Sequence, residues 1–271
     1  MRFRSLGSGS AGNALLVQWQ DDSVQRSLLV DCGLSERELK ARLHACGCEV
    51  SAIDLLLLTH EHDDHLGCAV RLASKYRIPL LSSLGTLQGA GLHPSAIAEG
   101  GPCGLQWIRL SSGERICLFG LEIEAVAVPH DAREALQFVL RCGSGMRSGA
   151  SLGILTDLGH VSEVVLQRYQ RLDGLVIECN HDLLLLEQCS YPTSIKQRIA
   201  GAWGHLSNAQ AARFLQAIEA SQLRVLVAAH LSRLNNHPDR VRADLLPAIG
   251  AEAVDRLVIA DQETGFGWQT L

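Results

Sequence analysis

Hydrophobic and polar positions in the first third of the chain alternate between strand-like and helix-like spacing. FRSL and NALLVQW flank the turn GSGSAG and predict a hairpin, and a third strand over 27–30 ends at Asp31. A capping-box pattern at 35–38 starts a predicted helix, a strand over 53–58 follows, and helical spacing resumes from Leu66 to Tyr76. Strand and helix therefore alternate, which predicts an α/β fold.

The rest of the chain repeats this organisation after a β-rich middle. Residues 106–155 form short β-rich segments joined by Gly and Ser turns. Ser162 and Ser207 then cap two predicted helices, the first reaching about Arg171, and strands are predicted over 175–178 and 224–229. We expect residues 1–271 to form one domain of two similar halves, with two sheets face to face and helices outside.

Composition limits the classes of protein that fit. The 271 residues are 47% hydrophobic and 20% charged, enough for a large core and against extended disorder. No apolar run approaches the length of about 18 residues expected of a membrane span, and the N-terminus has no secretory apolar segment. We expect a soluble cytoplasmic protein with no membrane partner. The nine cysteines, which include no CxxC unit, indicate small buried residues in a reducing compartment.

The segment LLLLTHEHDDHLG carries the clearest chemistry. Four leucines, typical of a buried strand, lead directly into His60, His62, Asp64 and His65. In an extended segment His60 and His62 point the same way, and Asp64 and His65 begin the next predicted helix, where they can face a second metal. One histidine among apolar residues is more often a core residue, but three with a carboxylate predict metal binding.

Further ionisable residues follow other predicted strands. His130 ends AVAVPH, Asp157 follows GILT, and His230 ends VLVAAH. Each alone has a second interpretation: a loop residue for either histidine, and a turn or capping residue for Asp157. Together with the HEHDDH segment they form a nitrogen and oxygen ligand set without thiolate, which suits zinc, manganese or iron.

This order of motifs, H-x-H-x-D-H and then single His, Asp and His residues, resembles the metallo-β-lactamase fold over essentially the whole chain. The resemblance implies an αββα four-layer sandwich with two divalent metal ions, zinc or manganese with iron as a further option, in a cleft along one edge of the sheets. It also implies the ligands: His60, His62 and His130 for one metal, Asp64, His65 and His230 for the other, and Asp157 between them.

Two more residues resemble the Glu and Gly-His pair of tRNA-processing and β-CASP nucleases. Glu178 lies in LVIECNHD and His205 in WGHLSN. The resemblance implies that Glu178 orients His205 to protonate a leaving oxygen, a role worth roughly 10²- to 10⁴-fold in rate. The alternatives are a salt bridge at the sheet edge for Glu178 and a helix-capping loop residue for His205. His181 is either a phosphate contact or a loop hydrogen bond.

SLGSGSAGNALLV, VDCGLS, VPHDA, ECNHD, GHLSN and HLSRLNN together resemble the small bacterial YycJ-like (WalJ) proteins. That resemblance implies a metal-dependent 5'-to-3' exonuclease on duplex DNA, in which the metals activate hydroxide and Asp64, His205 and Glu178 are catalytic. The short separations between Asp157, His205 and His230 leave no room for a β-CASP insertion.

The formal net charge of -5 argues against a protein that coats nucleic acid but allows a local basic groove. Arg133 is the main candidate for a substrate phosphate contact. The other cationic candidates are Arg141, Arg147, Lys196, Arg198 and Arg233. The segment 143–149 is expected to be a hairpin turn, and the alternative is a flexible flap that faces the phosphate.

Two other functions stay open from the sequence. A metallohydrolase of a small cyclic phosphodiester, thioester or lactone would share every metal ligand but would need no acid pair. A non-catalytic metal-binding partner protein would have no use for a leaving-group acid. The oligomeric state is left open.

Overall fold

The computed structural model describes residues 1–98, 104–143 and 149–271, so Cys103, Arg147 and most of the turn predicted at 143–149 lie outside the described residues. The strands in chain order are β1 (Arg2–Gly7), β2 (Ala14–Asp21), β3 (Val24–Val30), β4 (Leu55–Leu57), β5 (Leu80–Ser82), β6 (Trp107–Arg109), β7 (Arg115–Leu118), β8 (Leu121–Ala127), β9 (Leu136–Cys142), β10 (Ala150–Leu155), β11 (Gly174–Glu178), β12 (Val225–Ala229), β13 (Leu257–Ile259) and β14 (Phe266–Thr270). The helices are α1 (Glu36–Ala45), α2 (Asp63–Leu66), α3 (Ala69–Tyr76), α4 (Leu84–Gly89), α5 (Pro94–Ala98), α6 (Glu163–Arg168), α7 (Leu183–Gln188), α8 (Thr193–Ile199), α9 (Asn208–Ala217) and α10 (Pro238–Ile249).

The strands form two seven-stranded sheets of matching design. The first has the order β14-β1-β2-β3-β4-β5-β6 and the second β13-β12-β11-β10-β9-β8-β7. In the first sheet the pairs from β14 to β3 are antiparallel and those from β3 to β6 are parallel. In the second, the pairs from β7 to β10 are antiparallel and those from β10 to β13 are parallel.

Alternate side chains of the central strands enter different cores, which explains the leucine run. Leu55 and Leu57 of β4 lie in the core between the two sheets, together with residues of the second sheet such as Phe138. Leu56, which points the other way, packs under the helices outside the first sheet. A third core with Phe214 lies under the helices outside the second sheet. Two sheets with helices on both outer faces confirm the predicted αββα sandwich.

The structure corrects three predicted boundaries. The helix predicted to continue through Leu66 to Tyr76 is divided into α2 and α3. Gly67 ends α2 with a φ of 34°, and the backbone N–H of Cys68 donates to the Cys32 carbonyl at 3.1 Å, which pulls the chain out of the helical path. The helix capped by Ser162 ends at Arg168 rather than about Arg171, and the strand predicted over 53–58 has ladder pairing only at Leu55–Leu57.

Within the described ranges, no helix is both long and apolar enough to cross a membrane.

Candidate metal centre

The ionisable residues lie where strands of the two sheets end. His60 follows β4, His130 follows β8, and Asp157 and His230 follow β10 and β12. Asp157 and His230 adopt the left-handed conformation, with φ of 54° and 56°. For residues other than glycine this conformation is uncommon, and here it turns the chain sharply as it leaves each strand. The strand ends of both sheets thus deliver side chains to one place.

Three histidines form the first predicted ligand set. Nε2 of His60 lies 3.1 Å from Nδ1 of His62, and Nε2 of His130 lies 3.3 Å from the same His62 atom. One ligand atom from each of the three lies within 4.8 Å of those of the other two. Three nitrogens this close converge on a volume that one cation can occupy, because zinc-to-nitrogen distances are about 2.0–2.1 Å.

The second predicted set lies beside the first. Oδ2 of Asp64 is 3.6 Å from Nε2 of His65 and 3.6 Å from Nε2 of His230. Asp157 lies between the sets: its Oδ2 is 3.2 Å from His65, and one carboxylate oxygen groups with both His60 and His65. The structure therefore brings together all seven predicted ligands in the predicted arrangement, and their function as ligands stays a prediction.

Each of the five histidines uses one ring nitrogen on a protein acceptor, which leaves the other for a metal. This is the usual arrangement around metal-binding imidazoles, since the outer hydrogen bond fixes the ring and its tautomer. The acceptors are Thr59 Oγ1 for His60 (3.0 Å), the Asp131 carbonyl for His62 (3.2 Å), Asp31 Oδ2 for His65 (2.8 Å), the Gly204 carbonyl for His130 (3.1 Å) and Glu178 Oε1 for His230 (3.0 Å).

The atoms that face the centre also fit a cation. Oδ2 of Asp157 and Nε2 of His230 are buried and have no hydrogen-bond partner among the described residues. Burial lowers the pKa of His230, but Asp157, Asp64 and Glu178 outweigh burial and raise it to about 10, so these carboxylates favour a positive charge here, which a bound cation would supply in place of the imidazole proton. Burial lowers the pKa of His60 well below its usual value, so its imidazole is neutral, as a metal ligand must be. The residues present therefore fit divalent metals.

Glu178 and His205 form the predicted pair. Nδ1 of His205 donates to Glu178 Oε1 at 2.7 Å, and Oε2 accepts from the backbone N–H groups of Leu158 and Leu206. Burial raises the pKa of Glu178, but His205 and the hydrogen bonds outweigh it and lower the pKa to about 2. Burial lowers the pKa of His205, and the adjacent Glu178 carboxylate reverses this and raises it. Glu178 is thus a fully buried carboxylate at the end of β11, a strand with neighbours on both sides, and it is paired with His205; the role of this pair in proton transfer stays a prediction.

Access to the centre is from one side. His60, His65, Asp157 and His230 are almost completely buried. The side chains of His62, Asp64 and His205 keep 32%, 25% and 24% of their surface exposed. These three residues form the mouth of the centre, and a substrate would approach over them.

The two residues predicted to contact substrate differ in position. Arg133 is exposed, and its backbone N–H donates to Glu61 Oε1 at 2.8 Å, close to the HEHDDH segment. His181 is fully buried, forms a bridge to Ser207, and has no hydrogen-bond partner for either ring nitrogen among the described residues. Burial lowers its pKa to about 4, so its imidazole is neutral. The ring therefore makes no loop hydrogen bond within the described residues, and a phosphate contact by His181 stays a prediction.

The other cationic candidates are mostly paired. Arg198 donates to Asp131 Oδ2 at 2.7 Å and remains 64% exposed at the rim. Arg141 pairs with Glu122 and Glu124. It lies five residues along β9 from Leu136, so it is about 16 Å from the end of that strand that is near the metal centre. Two further side chains have partners elsewhere: Lys196 with the Glu187 carbonyl, and Arg233 with Gln262 and Glu263.

Sequence reasoning gave no role to Asp31, although it ends a strand as the predicted ligands do. Asp31 is buried and accepts from His65 and from the backbone and hydroxyl of Thr59. Asn13, from the first hairpin, lies 3.0 Å from Nε2 of His65 and donates to Asp64 Oδ2. The strand-end position was the signal for Asp31; for Asn13 the sequence offered none.

A model of the Beta-lactamase superfamily domain matches residues 26–230. The chain belongs to this superfamily. Within the superfamily, the chain is 30% identical over 242 residues to exodeoxyribonuclease YycJ of Bacillus anthracis, covering 89% of this chain and 86% of that protein. It is 32% identical over 235 residues to exodeoxyribonuclease WalJ of Streptococcus pneumoniae serotype 2 strain D39, covering 87% and 83%. Membership makes the chain a metallo-β-lactamase-fold hydrolase of a family that uses divalent metals.

Solved superfamily structures share the fold. The metallo-beta-lactamase fold protein YhfI from Bacillus subtilis superimposes with a TM-score of 0.71 at 16% identity, over 99% of this chain and 98% of that one. Zn(2+)-bound PqqB from Methylobacterium extorquens gives a TM-score of 0.69 at 14% identity, over 100% of both chains. At these identities the likeness supports the fold alone.

Proposed function

We propose that this hydrolase is a metal-dependent nuclease that cleaves phosphodiester bonds in duplex DNA from the 5' end. Relatives of 30% and 32% identity that are called exodeoxyribonucleases support a nucleic-acid substrate. The observation that carries the proposal is the Glu178–His205 pair beside the metal centre, because this pair can supply the proton that the leaving oxygen of a phosphodiester needs.

A deoxyribose alkoxide is a poor leaving group, so its departure is faster when a proton is supplied. Nδ1 of His205 is bound to Glu178, and Nε2 remains for the leaving oxygen. The adjacent Glu178 carboxylate raises the pKa of His205, which favours the protonated form that a general acid needs. An ester or thioester with a good leaving group would gain little from this arrangement.

The predicted ligands would hold two divalent ions, which supply Lewis-acid charge for the phosphate oxygens and lower the pKa of water. The chain itself fixes the geometry. His60, His65 and Asp157 are buried and cannot reorient, while the partly exposed Asp64 and His62 border the position of the scissile phosphate. Glu178 orients His205, which is also partly exposed at the mouth of the centre.

The rim offers contacts for the rest of a nucleic acid. The backbone carbonyl of Trp203, two residues before His205, accepts from the N–H of Asp131 at 3.0 Å, and its side chain is 62% exposed. Arg198 pairs with the same Asp131. The exposed indole could stack on an unpaired base, which contributes about 1–3 kcal/mol per base, and the guanidinium could contact a phosphate.

The first experiment incubates the purified chain, loaded with manganese or zinc, with 3'-labelled duplex DNA carrying or lacking a 5' phosphate. Single-stranded DNA and RNA of the same sequence serve as comparisons, and Asp157→Ala is the inactive control. Progressive shortening from the 5' end that is absent in the control supports the proposal. No cleavage of any strand by protein with measured bound metal would overturn it and favour a small phosphodiester or thioester substrate.

The second experiment tests the acid. We expect His205→Ala to lower kcat on DNA by roughly 10²- to 10⁴-fold. The same variant should retain most of its activity on a nitrophenyl phosphodiester, whose leaving group needs no proton. The matched control is His160→Ala, an exposed histidine whose ring donates a hydrogen bond to the Ala202 carbonyl. Equal losses on both substrates would contradict the acid role of His205.

A further inference from the structure

Two cysteines lie side by side next to the helix that carries Asp64 and His65. Sγ of Cys32 is 3.8 Å from Sγ of Cys68. Cys32 is completely buried and Cys68 is 6% exposed. Both are free thiols, and neither belongs to the predicted ligand set. The backbone geometry and the surroundings of the two thiols favour disulfide formation over a role in packing alone.

The main chain already brings these residues within reach of a disulfide. The N–H of Cys68 donates to the Cys32 carbonyl at 3.1 Å, and the N–H of Cys32 donates to the His65 carbonyl at 2.7 Å. A direct backbone hydrogen bond of this kind keeps the two Cα atoms close to the range of about 4.4–6.8 Å that a disulfide spans. To close the remaining gap from 3.8 Å to the S–S bond length of about 2.0 Å, the side chains must rotate and the segment at Gly67 must shift slightly toward Cys32.

The two sulfurs differ in access. Cys68 lines an open surface pocket together with Gly67, Arg71 and Ser35, whereas Cys32 lies behind it. The guanidinium of Arg71 in this pocket favours the thiolate form of a neighbouring cysteine. Cys68 is thus the sulfur that a small oxidant reaches first, and Cys32 is placed to resolve the product.

We propose that Cys32 and Cys68 form an oxidation-sensitive modification site that a hydroperoxide converts to a disulfide. The Cys68 thiolate attacks one oxygen of hydrogen peroxide, an S–O bond forms, the O–O bond breaks, and the released hydroxide takes a proton to give water. The Cys32 sulfur then attacks the Cys68 sulfenic acid, the S–S bond forms, and a second water leaves. Two thiols are oxidised by two electrons and one peroxide is reduced.

A disulfide would affect the metal centre because Cys32 and Cys68 are each only a few residues from groups that position the second ligand set. Cys32 directly follows Asp31, whose carboxylate binds His65, and Cys68 follows Gly67, which ends α2. The backbone segments at Gly67 and Cys32 are in close contact, since a Cβ on Gly67 would lie 2.4 Å from the Cys32 carbonyl oxygen. Drawing the two sulfurs together therefore displaces His65 or Asp64 and weakens the second ligand set. This inference does not depend on which substrate the enzyme hydrolyses.

The test exposes the metal-loaded full chain to graded hydrogen peroxide, blocks remaining thiols, and maps disulfides by mass spectrometry without reduction. Trypsin places Cys32 on the peptide 27–37 and Cys68 on 43–71, which also contains Cys46 and Cys48, so fragmentation must assign the sulfur. We expect a Cys32–Cys68 link with the loss of two hydrogen atoms, loss of bound metal in parallel, and recovery of both after a dithiol reductant.

Two variants separate this site from general oxidation. Cys68→Ser should abolish the link and retain metal at peroxide levels that deplete the wild type, whereas Cys46→Ser should behave as the wild type. The exposed Cys117 reports that the oxidant has acted. If Cys117 is oxidised while Cys32 and Cys68 remain free thiols, or if the link forms with no loss of metal, the proposal is wrong.

Discussion

Asp31 shows how a single residue outside the predicted ligand set can control it. Its carboxylate is buried, accepts from Nδ1 of His65 at 2.8 Å, and is held by two hydrogen bonds from Thr59. A carboxylate in this position fixes the imidazole and raises its basicity toward a metal. We therefore expect metal binding to depend on Asp31, which orients His65, as well as on His65 itself.

We expect Asp31→Asn to lower metal affinity by about 10- to 100-fold, because it removes the charge behind His65 while keeping the size of the side chain. Competition with a metal-sensitive dye measures the change. Asp54→Asn is the matched control, since Asp54 also accepts from a backbone N–H, that of Ser27, and pairs with Arg26. Equal affinities for the two variants would contradict the role of Asp31.

Glu124 is a buried carboxylate that is surrounded by arginines, and we expect it to contribute to stability rather than to catalysis. Arg115, Arg141 and Arg168 lie 3.1, 2.8 and 3.1 Å from its oxygens. Burial raises the pKa of Glu124, but the hydrogen bonds from Arg141 and Arg115 outweigh burial and lower it. A carboxyl group whose pKa is lower when folded stabilises the fold above its unfolded pKa, and this stabilisation is lost as the pH falls through the folded pKa.

Glu124→Gln should therefore lower the free energy of unfolding by about 2 kcal/mol at pH 7. The difference from the wild type should shrink below about pH 4, where the unfolded carboxyl group is protonated. Urea denaturation across this pH range measures both effects. Glu122→Gln removes a partly exposed partner of Arg141 and should change stability by less than about 1 kcal/mol. If the difference in the free energy of unfolding between the wild type and Glu124→Gln grew at low pH, the stabilising role of the ionised Glu124 would be contradicted.

At the level of elements, the short helix α2 depends on close backbone contact with the segment after β3. A Cβ built on Gly33 would lie 1.7 Å from the Asp64 carbonyl oxygen, and the N–H of Asn13 donates to that same oxygen at 2.7 Å. The position of two predicted ligands is thus set by a glycine distant in sequence from both.

Gly33→Ala should displace α2, lower metal stoichiometry below that of the wild type, and destabilise the fold by roughly 1–3 kcal/mol through overpacking. Gly267→Ala is a sharp control, because a Cβ on Gly267 would have no heavy atom within 4 Å. Metal analysis after dialysis, together with thermal unfolding, distinguishes the two. Full metal content in Gly33→Ala would show that the close contact is not needed to position the ligands.

For the whole molecule, the metal centre joins the two sheets. His60, His62, Asp64 and His65 come from the first sheet and its helix, while His130, Asp157 and His230 follow strands of the second. Ions bound between them would stabilise only the folded state, in which both sets of ligands meet. Within the described part of the chain, Oδ2 of Asp157 and Nε2 of His230 are buried without a hydrogen-bond partner, and a bound ion would satisfy them.

Removal of metal by a chelator should lower the Tm by about 5 to 10 °C relative to protein held at 100 times the metal Kd, given about 2.7 kcal/mol of linkage for a chain of this size. Readdition of zinc or manganese should restore it. The Asp157→Ala variant should lack most of this response. A Tm that is the same with and without chelator would contradict metal binding between the sheets.

The sequence alone determined the α/β alternation, the αββα class and the metal-ligand candidates. These are local properties: a period of two residues marks a strand, and the residue type that follows it shows which chemistry that strand end can support. His130, Asp157 and His230 each had a second interpretation when taken alone, and they became ligand candidates only together with the HEHDDH segment. The one-domain arrangement of residues 1–271 stays a prediction.

Only the tertiary structure decided which residues meet. Glu178 binds His230 in addition to the expected His205, Asp31 lies behind His65, and Cys32 contacts Cys68, although the partners are far apart in the chain. It also divided the predicted helix at Gly67, because a backbone bond to Cys32 competes with helical continuation. Such contacts depend on the packing of distant segments, and no short-range pattern of the sequence records them.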